Sequence, residues 1–442
     1  MADRRFGELV ALAEERMREL QVPGVAVGLI DGEREDRTCL GVVNVERGRR
    51  VDADSVFRIA SITKTFTATA LVALQERGTL DLDAPVRRYV PEFRLRDADA
   101  TARVTLRHLL AHTGGWIGED PPDHDGPDAL GRVAASCAEA QGLGAPGEFF
   151  SYNNAGYTVA GRALEAVTGL PYEAALDDLV LVPLGLRQSS FGTQTGENVA
   201  AEHTIRDGSP AIVRDDSTAV RSSFPGGGLR STLTDLLRYA RCQLGEGPQV
   251  LSVRAAASMW EKQVATGIPN SWKAISWFVD ERQGVRLLHH GGATVTHMSL
   301  LAFVPERRLA VAVLTNGVNG TALTWAVARR AVELYGGARP QSEPRPIDIS
   351  AAALAQYAGT YEWPTSDVRL AAAGNSLELR MTWKGYVSDR PPLPPMRLAF
   401  YAPDAVLCVD GPLAGQHGDF LRDDRGAVRF FRWNLRARPR AG

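Results

Sequence analysis

The sequence predicts an α/β (α+β) unit, in which helices flank an antiparallel sheet and a further region is all helical, followed by a small all-β barrel. Strand groups and a linker indicate this division. A helix and a strand pair open the chain, three successive strands lie between residues 285 and 317, and a Gly/Pro-rich linker begins at residue 336. We expect the larger unit over residues 1–335, the linker over 336–350 and the barrel over 351–442.

The composition is that of a globular protein, with 44% hydrophobic and 23% charged residues in a chain of 442. The 50 basic residues nearly balance the 52 acidic ones, so the charge favours neither nucleic acid nor an anionic membrane as a partner. We therefore expect the ligand to be a small molecule or a peptide.

Residues 1–20 predict an amphipathic helix, because apolar residues recur at helical spacing between charged ones. A signal peptide would need an uninterrupted apolar core, and no apolar run approaches the roughly 18 residues of a membrane span. We therefore expect a cytoplasmic protein. The cysteines are scattered singly, which predicts reduced core thiols rather than disulfides or a zinc site: Cys39, Cys137, Cys242 and Cys408.

A serine and a lysine follow two predicted strands at residues 25–30 and 38–43. Ser61 and Lys64 lie where an extended segment passes into an apolar helix that ends near Gly78. Positions i and i+3 share one face of a helix, so the hydroxyl and the amine can touch. A lysine whose pKa is depressed by burial or by nearby positive charge can take the serine proton and create a nucleophile. Ser-x-x-Lys is frequent, however, and by itself also fits an ordinary amphipathic helix.

A predicted helix opened by Thr105 and closed by Gly114 and Gly115 carries His108 and His112 four residues apart. This spacing can bind zinc, but Leu109 replaces the glutamate of the zinc-protease pattern, and we expect a structural helix. The acidic segment at residues 116–147 predicts a long irregular loop, which is either functional or a solvated insertion.

Two more motifs stand further along the chain. Tyr152 and Asn154 are two residues apart, which directs both side chains to one side of an extended segment. Such pairs, however, more often stabilise a turn than take part in catalysis. His290 is predicted on an edge strand beside Gly291 and Gly292, where a substrate backbone can approach closely. A single histidine on a strand is usually structural.

Short alternating strands beyond the linker predict the barrel or a meander. They lie at residues 359–363, 368–370, 377–381, 406–409, 419–421 and 428–433. The barrel contains no nucleophile candidate of its own.

In this order, Ser61-x-x-Lys64, Tyr152-x-Asn154 and His290-x-Gly292 resemble the motifs of the penicillin-recognising serine enzymes. That family includes class C β-lactamases, D-alanyl-D-alanine carboxypeptidases, esterases and D-aminopeptidases. The Thr-Leu-Arg-His-Leu-Leu-Ala-His-Thr-Gly run is similar as well, and the resemblance covers residues 5–335. Gly-x-Ser-x-Gly is absent from the sequence, which disfavours an α/β-hydrolase.

The resemblance implies a role for each motif residue. Ser61 would attack a carbonyl and form an acyl-enzyme, while Lys64 and Tyr152 would share the base work and Tyr152 would protonate the leaving group. Asn154 would orient Lys64 and the substrate amide. The backbone N–H groups of Ser61 and Ala293 would form the oxyanion hole. No metal or organic cofactor is implied.

The third motif departs from the common family pattern, Lys-Thr-Gly. Here it reads His290-Gly291-Gly292, with His289 as an alternative register. Lysine is a permanent cation that holds a substrate carboxylate, whereas histidine titrates near neutral pH, which weakens the β-lactamase interpretation. The histidine form resembles D-aminopeptidases, some esterases and the stand-alone penicillin-binding-protein-type thioesterases. The thioesterases release and macrocyclise nonribosomal peptides and also carry a small C-terminal lipocalin-like domain.

The resemblance therefore implies an acyltransferase that accepts a peptidyl group with a D residue at its carboxyl end, delivered as a thioester on a carrier protein or as an ester or amide. An internal amine would then close the ring. A carboxylesterase or a D-specific amidase or aminopeptidase is the alternative, and a β-lactam-acylated receptor or weak β-lactamase is the third. The barrel is either a stabilising lid or, through Arg432 or Arg436, a holder of the substrate carboxylate or carbonyl.

Overall fold

The helices and strands are taken from a computed structural model that describes residues 3–119, 122–214, 219–338 and 344–442. The α-helices are α1 (Arg4–Glu19), α2 (Thr63–Glu76), α3 (Ala98–Arg103), α4 (Leu106–Leu110), α5 (Ala129–Ser136), α6 (Asn154–Thr168), α7 (Tyr172–Leu176), α8 (Phe224–Gly227), α9 (Leu233–Gln243), α10 (Val253–Ser258), α11 (Gly320–Ala331) and α12 (Ala351–Ala355). The strands are β1 (Gly24–Asp31), β2 (Arg34–Gly41), β3 (Phe57–Arg58), β4 (Glu202–Arg206), β5 (Ser209–Arg214), β6 (Arg230–Ser231), β7 (Val264–Ala265), β8 (Ser271–Lys273), β9 (Phe278–Arg282), β10 (Val285–Ala293), β11 (Met298–Val304), β12 (Leu309–Thr315), β13 (Gly359–Tyr361), β14 (Ser366–Ala373), β15 (Ser376–Trp383), β16 (Met396–Ala402), β17 (Ala405–Cys408), β18 (His417–Arg422), β19 (Val428–Trp433) and β20 (Arg436–Pro439).

The larger unit is organised around an antiparallel sheet with the strand order β2-β1-β12-β11-β10-β9-β8-β7 in the described chain. Strands β10, β11 and β12 form the predicted meander, and β12 pairs with β1, so the sheet returns to the N-terminal strands as predicted. Helices α1 and α11 cover one face of the sheet, and α2 and α9 pack against the other. Because both faces are covered, the central strands β11 and β12 are buried throughout.

The loop predicted at residues 116–147 is not wholly irregular. Helix α5 forms within it because Leu130, Val133 and Ala134 make a buried apolar stripe, from which Leu130 and Ala134 pack into the main core. The helix lies against α6. Asp120 lies outside the described residues. Helix α4 is shorter than predicted, and the Thr105 hydroxyl caps it by accepting from the His108 backbone N–H.

The C-terminal strands form a separate, almost closed barrel, as predicted. Its order is β13 through β20 in sequence, eight strands among the residues described, and the pairing of Tyr361 with Arg440 brings the first strand beside the last. This architecture is lipocalin-like. Strands β16 and β20 were not predicted. Strand β20 is polar and contains arginines and a proline, which are not typical of strands.

The four cysteines are free thiols. Cys137, Cys242 and Cys408 are buried, as expected of core residues, whereas Cys39 is partly exposed. Among the described residues, no helix has both the length and the apolar character needed to cross a membrane.

Helices α6 and α8 meet at a glycine, and this contact fixes two walls of the region around Ser61. A Cβ atom on Gly161 would lie 2.3 Å from Pro225 Cγ, so no larger residue fits without moving one helix.

We predict that Gly161→Ala lowers the free energy of unfolding by about 1–2 kcal/mol, because overpacking outweighs the higher helix propensity of alanine. Urea denaturation measures the change. The matched control is Gly7→Ala, at an exposed position of α1 with nothing within 4 Å of a Cβ. It should stabilise the protein by up to about 1 kcal/mol. Equal effects of the two substitutions would contradict the packing argument.

A buried histidine anchors the strand that precedes Ser61. His297 Nδ1 accepts a hydrogen bond from the Arg58 backbone N–H at 3.0 Å, and its Nε2 lies 3.2 Å from the Ala201 carbonyl. The carbonyl requires a proton on Nε2, so the ring is the neutral tautomer. Burial lowers the pKa of His297 to about 4.

Acid should therefore destabilise the fold through His297. The unfolded chain binds a proton below pH 6.5 or so, whereas folded His297 does not until about pH 4. The free energy of unfolding should fall as pH drops across this window, by at most about 1.4 kcal/mol per pH unit. Urea denaturation from pH 7 to pH 5 should show a shallower pH dependence for His297→Gln than for wild type, while His124→Gln, at a partly exposed position, should keep the wild-type slope.

Candidate active site

Ser61 is presented by a strained turn between a strand and a helix. Strand β3 ends at Arg58, a single 3-10 turn spans Ala60–Ile62, and α2 follows directly. Ala60 has φ +46°, a left-handed conformation that costs a non-glycine residue about 1–2 kcal/mol. The Thr63 hydroxyl donates to the Ala60 carbonyl at 2.6 Å and holds this conformation. Ser61 is thereby left partly exposed at the start of an otherwise buried helix.

Lys64 makes the contact with Ser61 that the spacing predicts. Its Nζ lies 3.0 Å from Ser61 Oγ and donates to the Gly226 carbonyl at 2.6 Å. The side chain is 1% exposed. A Cβ on Gly226 would lie 3.5 Å from Lys64 Nζ and 3.8 Å from the Asn154 carbonyl oxygen, so α8 brings the start of α6 beside the amine.

Two basic side chains and an imidazole lie close to the ring of Tyr152. Lys64 Nζ is 5.1 Å from the ring centroid and the Arg436 guanidinium carbon is 5.5 Å from it. The His112 ring stacks on Tyr152 at 4.2 Å between centroids. The structure thus brings Tyr152 next to the Ser61–Lys64 pair.

Asn154 is the first residue of α6, and its neighbour supplies the cap. The Asn153 side chain accepts from the Gly156 N–H at 2.7 Å and donates to the Trp116 carbonyl at 3.1 Å. The Asn154 N–H donates to the Gly118 carbonyl at 2.7 Å. These bonds fix the backbone that carries both Tyr152 and Asn154.

The third motif forms a wall beside Ser61, but the prediction of an edge strand was wrong. Strand β10 is interior, because β7, β8 and β9 extend the sheet beyond it. The pairing with β9 nevertheless stops at His289, opposite Phe278. Beyond that point, residues 290–293 have no register with β9 and offer the free backbone edge that a substrate requires.

Gly292 lets this wall approach the nucleophile segment. A Cβ there would lie 2.1 Å from the Ile59 carbonyl oxygen, so only glycine fits. Ser299 Oγ donates to the same carbonyl at 2.9 Å. Gly291 and Ala293 flank this contact on the strand, which puts their backbone beside the turn that carries Ser61.

His290 occupies the position predicted for the first residue of the third motif. His289, the alternative, does not. His289 lies 3.4 Å from Asp280 and edge-on to Trp325 of α11, on the other side of the sheet. His290 Nδ1 lies 2.7 Å from the Gly291 carbonyl, so it carries the proton, while Nε2 is buried without a partner among the described residues.

Burial, reinforced by the positive Lys273 and Lys64, holds the pKa of His290 well below its usual value. The imidazole is therefore neutral near pH 7. It offers Nε2 as a hydrogen-bond acceptor instead of a cation for a carboxylate.

The sequence did not predict that two buried bases, Lys273 and His112, lie near the site. Lys273 of β8 is fully buried, donates to the Ser276 carbonyl and lies over the Phe278 ring, and burial followed by the charge of Lys64 holds its pKa well below its usual value. His112, expected to be structural, accepts from the Asn153 N–H at 3.0 Å through Nδ1 and stacks on Tyr152. A lone lysine on a strand that is itself unpredicted carries no sequence signal.

His112 and His108 do not join a metal cluster, and no group of three potential ligands was found within the four described ranges. His108 Nδ1 instead accepts from the Thr105 backbone N–H. Burial holds the pKa of His112 well below its usual value, which favours the neutral ring.

The two barrel arginines differ in their surroundings. Arg432 is 6% exposed and is engaged by the Asp419 carboxylate at 2.7 Å and 2.8 Å, with Nη1 directed to the Phe150 and Ala265 carbonyls. Arg436 pairs with Glu119 at 3.0 Å and lies beside Tyr152. Arg432 thus bridges the two units, whereas Arg436 is closer to the reactive groups.

The chain is similar to known proteins in sequence and in fold. The profile of the family described as "Beta-lactamase" matches residues 9–334. Penicillin-binding protein 4 of Amycolatopsis lactamdurans is 34% identical over 368 residues, which cover 78% of this chain and 94% of that protein. Esterase EstB of Burkholderia gladioli is 37% identical over 226 residues, 47% of this chain and 56% of EstB.

Among solved structures, SurE is similar over the whole chain. It has a TM-score of 0.80 at 25% identity and covers 100% of both chains, and its structure with D-Leu has a TM-score of 0.79 at 24% identity over 99% of this chain and 100% of that one. The fold of SurE therefore includes the barrel as well as the larger unit. The family match and the identity with penicillin-binding protein 4 lead to one conclusion: this chain belongs to the β-lactamase family of serine hydrolases and acyltransferases.

Proposed function

We propose that the protein is a serine acyltransferase that takes a peptidyl group with a D residue at its carboxyl end and closes it into a ring. The observation that carries the proposal is the 3.0 Å contact between Lys64 Nζ and Ser61 Oγ. The likeness of both units to SurE, which has been crystallised with D-Leu, supports the substrate class. The substrate would be a peptidyl thioester, ester or amide, with a carrier protein as one means of delivery.

The reaction proceeds in two acyl transfers. Ser61 Oγ attacks the substrate carbonyl as its proton passes through Lys64 to the Tyr152 oxygen, and the carbonyl oxygen accepts hydrogen bonds from the N–H groups of Ser61 and Ala293. The bond to the leaving group breaks, and Tyr152 protonates that group. The internal amine then attacks the acyl-enzyme, forms the amide and returns its proton through Tyr152 and Lys64, which releases Ser61.

The side chains around Tyr152 are suited to these proton transfers. Lys64 and Arg436, both near the ring, would attract the negative charge that develops on the phenol oxygen. Asn154, at the start of α6 beside Lys64, would orient the amine and the substrate amide. His290 Nε2 would accept a hydrogen bond from the peptide, because a neutral imidazole does not hold a carboxylate.

A carboxylesterase is the second candidate, and the 37% identity with EstB favours it. The acyl-enzyme would be the same and water would replace the amine. The identity of the acceptor therefore separates the two functions, not the identity of the nucleophile.

We predict that Ser61→Ala abolishes acylation and lowers turnover at least about 10⁴-fold, and that Tyr152→Phe lowers it about 10²- to 10⁴-fold. Intact-protein mass spectrometry should be run with a chromogenic cephalosporin, an aryl ester and peptidyl thioesters ending in a D or an L residue. Wild type should gain the peptidyl mass from the D-terminated thioester and release a product one water lighter than the linear acid. Ser136→Ala, which removes a hydroxyl bonded within α5, should behave as wild type.

The same panel tests the alternatives. Release of only linear acid, with aryl esters turned over fastest, would favour the esterase. Stoichiometric acylation by the cephalosporin without product would favour a β-lactam receptor. Wild-type protein that no substrate acylates would contradict all three.

Arg436 is proposed to hold a substrate carbonyl, with Glu119 fixing its guanidinium. We predict that Arg436→Gln raises KM for peptidyl substrates about three- to tenfold, the value of one hydrogen bond, and leaves KM for a small aryl ester unchanged. Arg429→Gln is the matched control, because Arg429 also crosses between the units, to the Leu143 carbonyl at 2.8 Å, without contacting Tyr152 in the described structure. Equal KM values for Arg436→Gln and wild type would exclude Arg436 from substrate binding.

A further inference from the structure

We propose that the turn between β19 and β20, formed by Asn434 and Leu435 and here called the barrel turn, is a positioning element for Tyr152. The inference rests on the proposed role of Tyr152 in proton transfer. In this proposal the barrel contributes to the active site by positioning Tyr152, independently of any role in substrate binding.

The barrel hairpin binds three consecutive residues, Phe150 to Tyr152, just before the N-cap of helix α6. The Tyr152 N–H donates to the Leu435 carbonyl at 2.8 Å. The Ala437 N–H donates to Ser151 Oγ at 3.1 Å, and Arg432 Nη1 donates to the Phe150 carbonyl at 3.1 Å. The segment that carries Tyr152 is thus bonded along its length to the hairpin.

The conformation of the barrel turn is strained at one residue. Asn434 and Leu435 have φ of +50° and +66°, and Trp433 pairs with Arg436 across them, as in a two-residue hairpin turn. Asparagine tolerates this region, but leucine is disfavoured there by about 1–2 kcal/mol. Packing offsets this cost, because the Leu435 side chain lies against the cluster of Phe150, Tyr152 and Phe278.

An ion pair within the barrel lies against the larger unit and contacts it through Arg432. Asp419 and Arg432 lie opposite each other on β18 and β19 and share two hydrogen bonds, at 2.7 Å and 2.8 Å. A Cβ on Gly267 would lie 2.2 Å from Asp419 Oδ1, so the loop after β7 closes directly over the pair. The position of Leu435 is therefore determined by the larger unit as much as by the barrel.

The barrel turn and His112 both hold the segment that carries Tyr152. The His112 ring stacks on the phenol and its Nδ1 accepts from the next backbone N–H, that of Asn153, while Leu435 accepts from Tyr152 itself. The phenol of Tyr152 is attached to a segment that has no strand partner within the larger unit in the described chain. Small displacements of such a segment are costly, because proton transfer requires heavy atoms within about 3 Å of each other.

The primary test uses Leu435→Gly, which permits the same positive φ and removes only the packed side chain. With a small aryl ester, kcat should fall about ten- to a hundredfold while KM stays within about twofold, because the loss is one of alignment. Leu435→Met, which restores an apolar side chain, should recover most of the rate. Asp404→Asn is the control, since Asp404 pairs with Arg422 within the barrel, as Asp419 does with Arg432 at the interface.

A double-mutant cycle distinguishes alignment of Tyr152 from general loosening of the fold. In a Tyr152→Phe background, Leu435→Gly should change kcat by less than about twofold, since the group that it aligns is already gone. Ser151→Ala, which removes the acceptor for Ala437 and leaves the barrel intact, should show the same dependence on Tyr152.

Two results would overturn the inference: an unchanged kcat in both Leu435→Gly and Ser151→Ala, or equal losses of kcat with and without the Tyr152 hydroxyl. Labelling of Ser61 by a fluorophosphonate separates this outcome from failure of the proposed function. If wild type is labelled and the barrel-turn variants match it, only the positioning role is rejected. If wild type is not labelled, the acyl-enzyme mechanism fails with it.

Discussion

The approach of two backbones at Gly292 and Ile59 is the constraint on which the rest of the site depends. The Ile59 carbonyl accepts from Ser299 while its N–H donates to Leu229, so the residue is held from two sides immediately before the strained turn at Ala60. A side chain at position 292 would separate the sheet from the helix that carries Ser61. The reactive hydroxyl and the free edge of β10 stay adjacent because nothing but hydrogen occupies that gap.

Burial gives the nitrogen bases around Ser61 their chemical character. His290 and His112 are enclosed deeply enough to remain neutral, so they act as hydrogen-bond acceptors and packing surfaces. A neutral histidine stands where the Lys-Thr-Gly pattern has a fixed cation, so this position carries no permanent positive charge. Positive charge is concentrated instead beside the Tyr152 ring, where Lys64 and Arg436 approach it from the core and from the barrel.

Local patterns in the sequence predicted the parts of the structure that depend on local physics. The i, i+3 spacing of Ser61 and Lys64 and the meander of β10 to β12 are examples, and the three family motifs lie around one region as the resemblance implied. The interior position of β10 was missed because β7 to β9 are short strands with little alternation. Lys273, the stacking of His112 and the barrel turn were missed for a shared reason. Each depends on a contact between segments far apart in sequence, which leaves no periodic or compositional trace.

The hydrogen bond from Ala437 to Ser151 joins residues 286 positions apart, and this separation has a consequence for synthesis. A ribosome completes Ser61, Lys64 and Tyr152 well before it makes the hairpin that meets them, and contacts over such distances carry the largest loop-closure cost in folding. The nascent chain thus has its nucleophile long before that nucleophile's surroundings are complete.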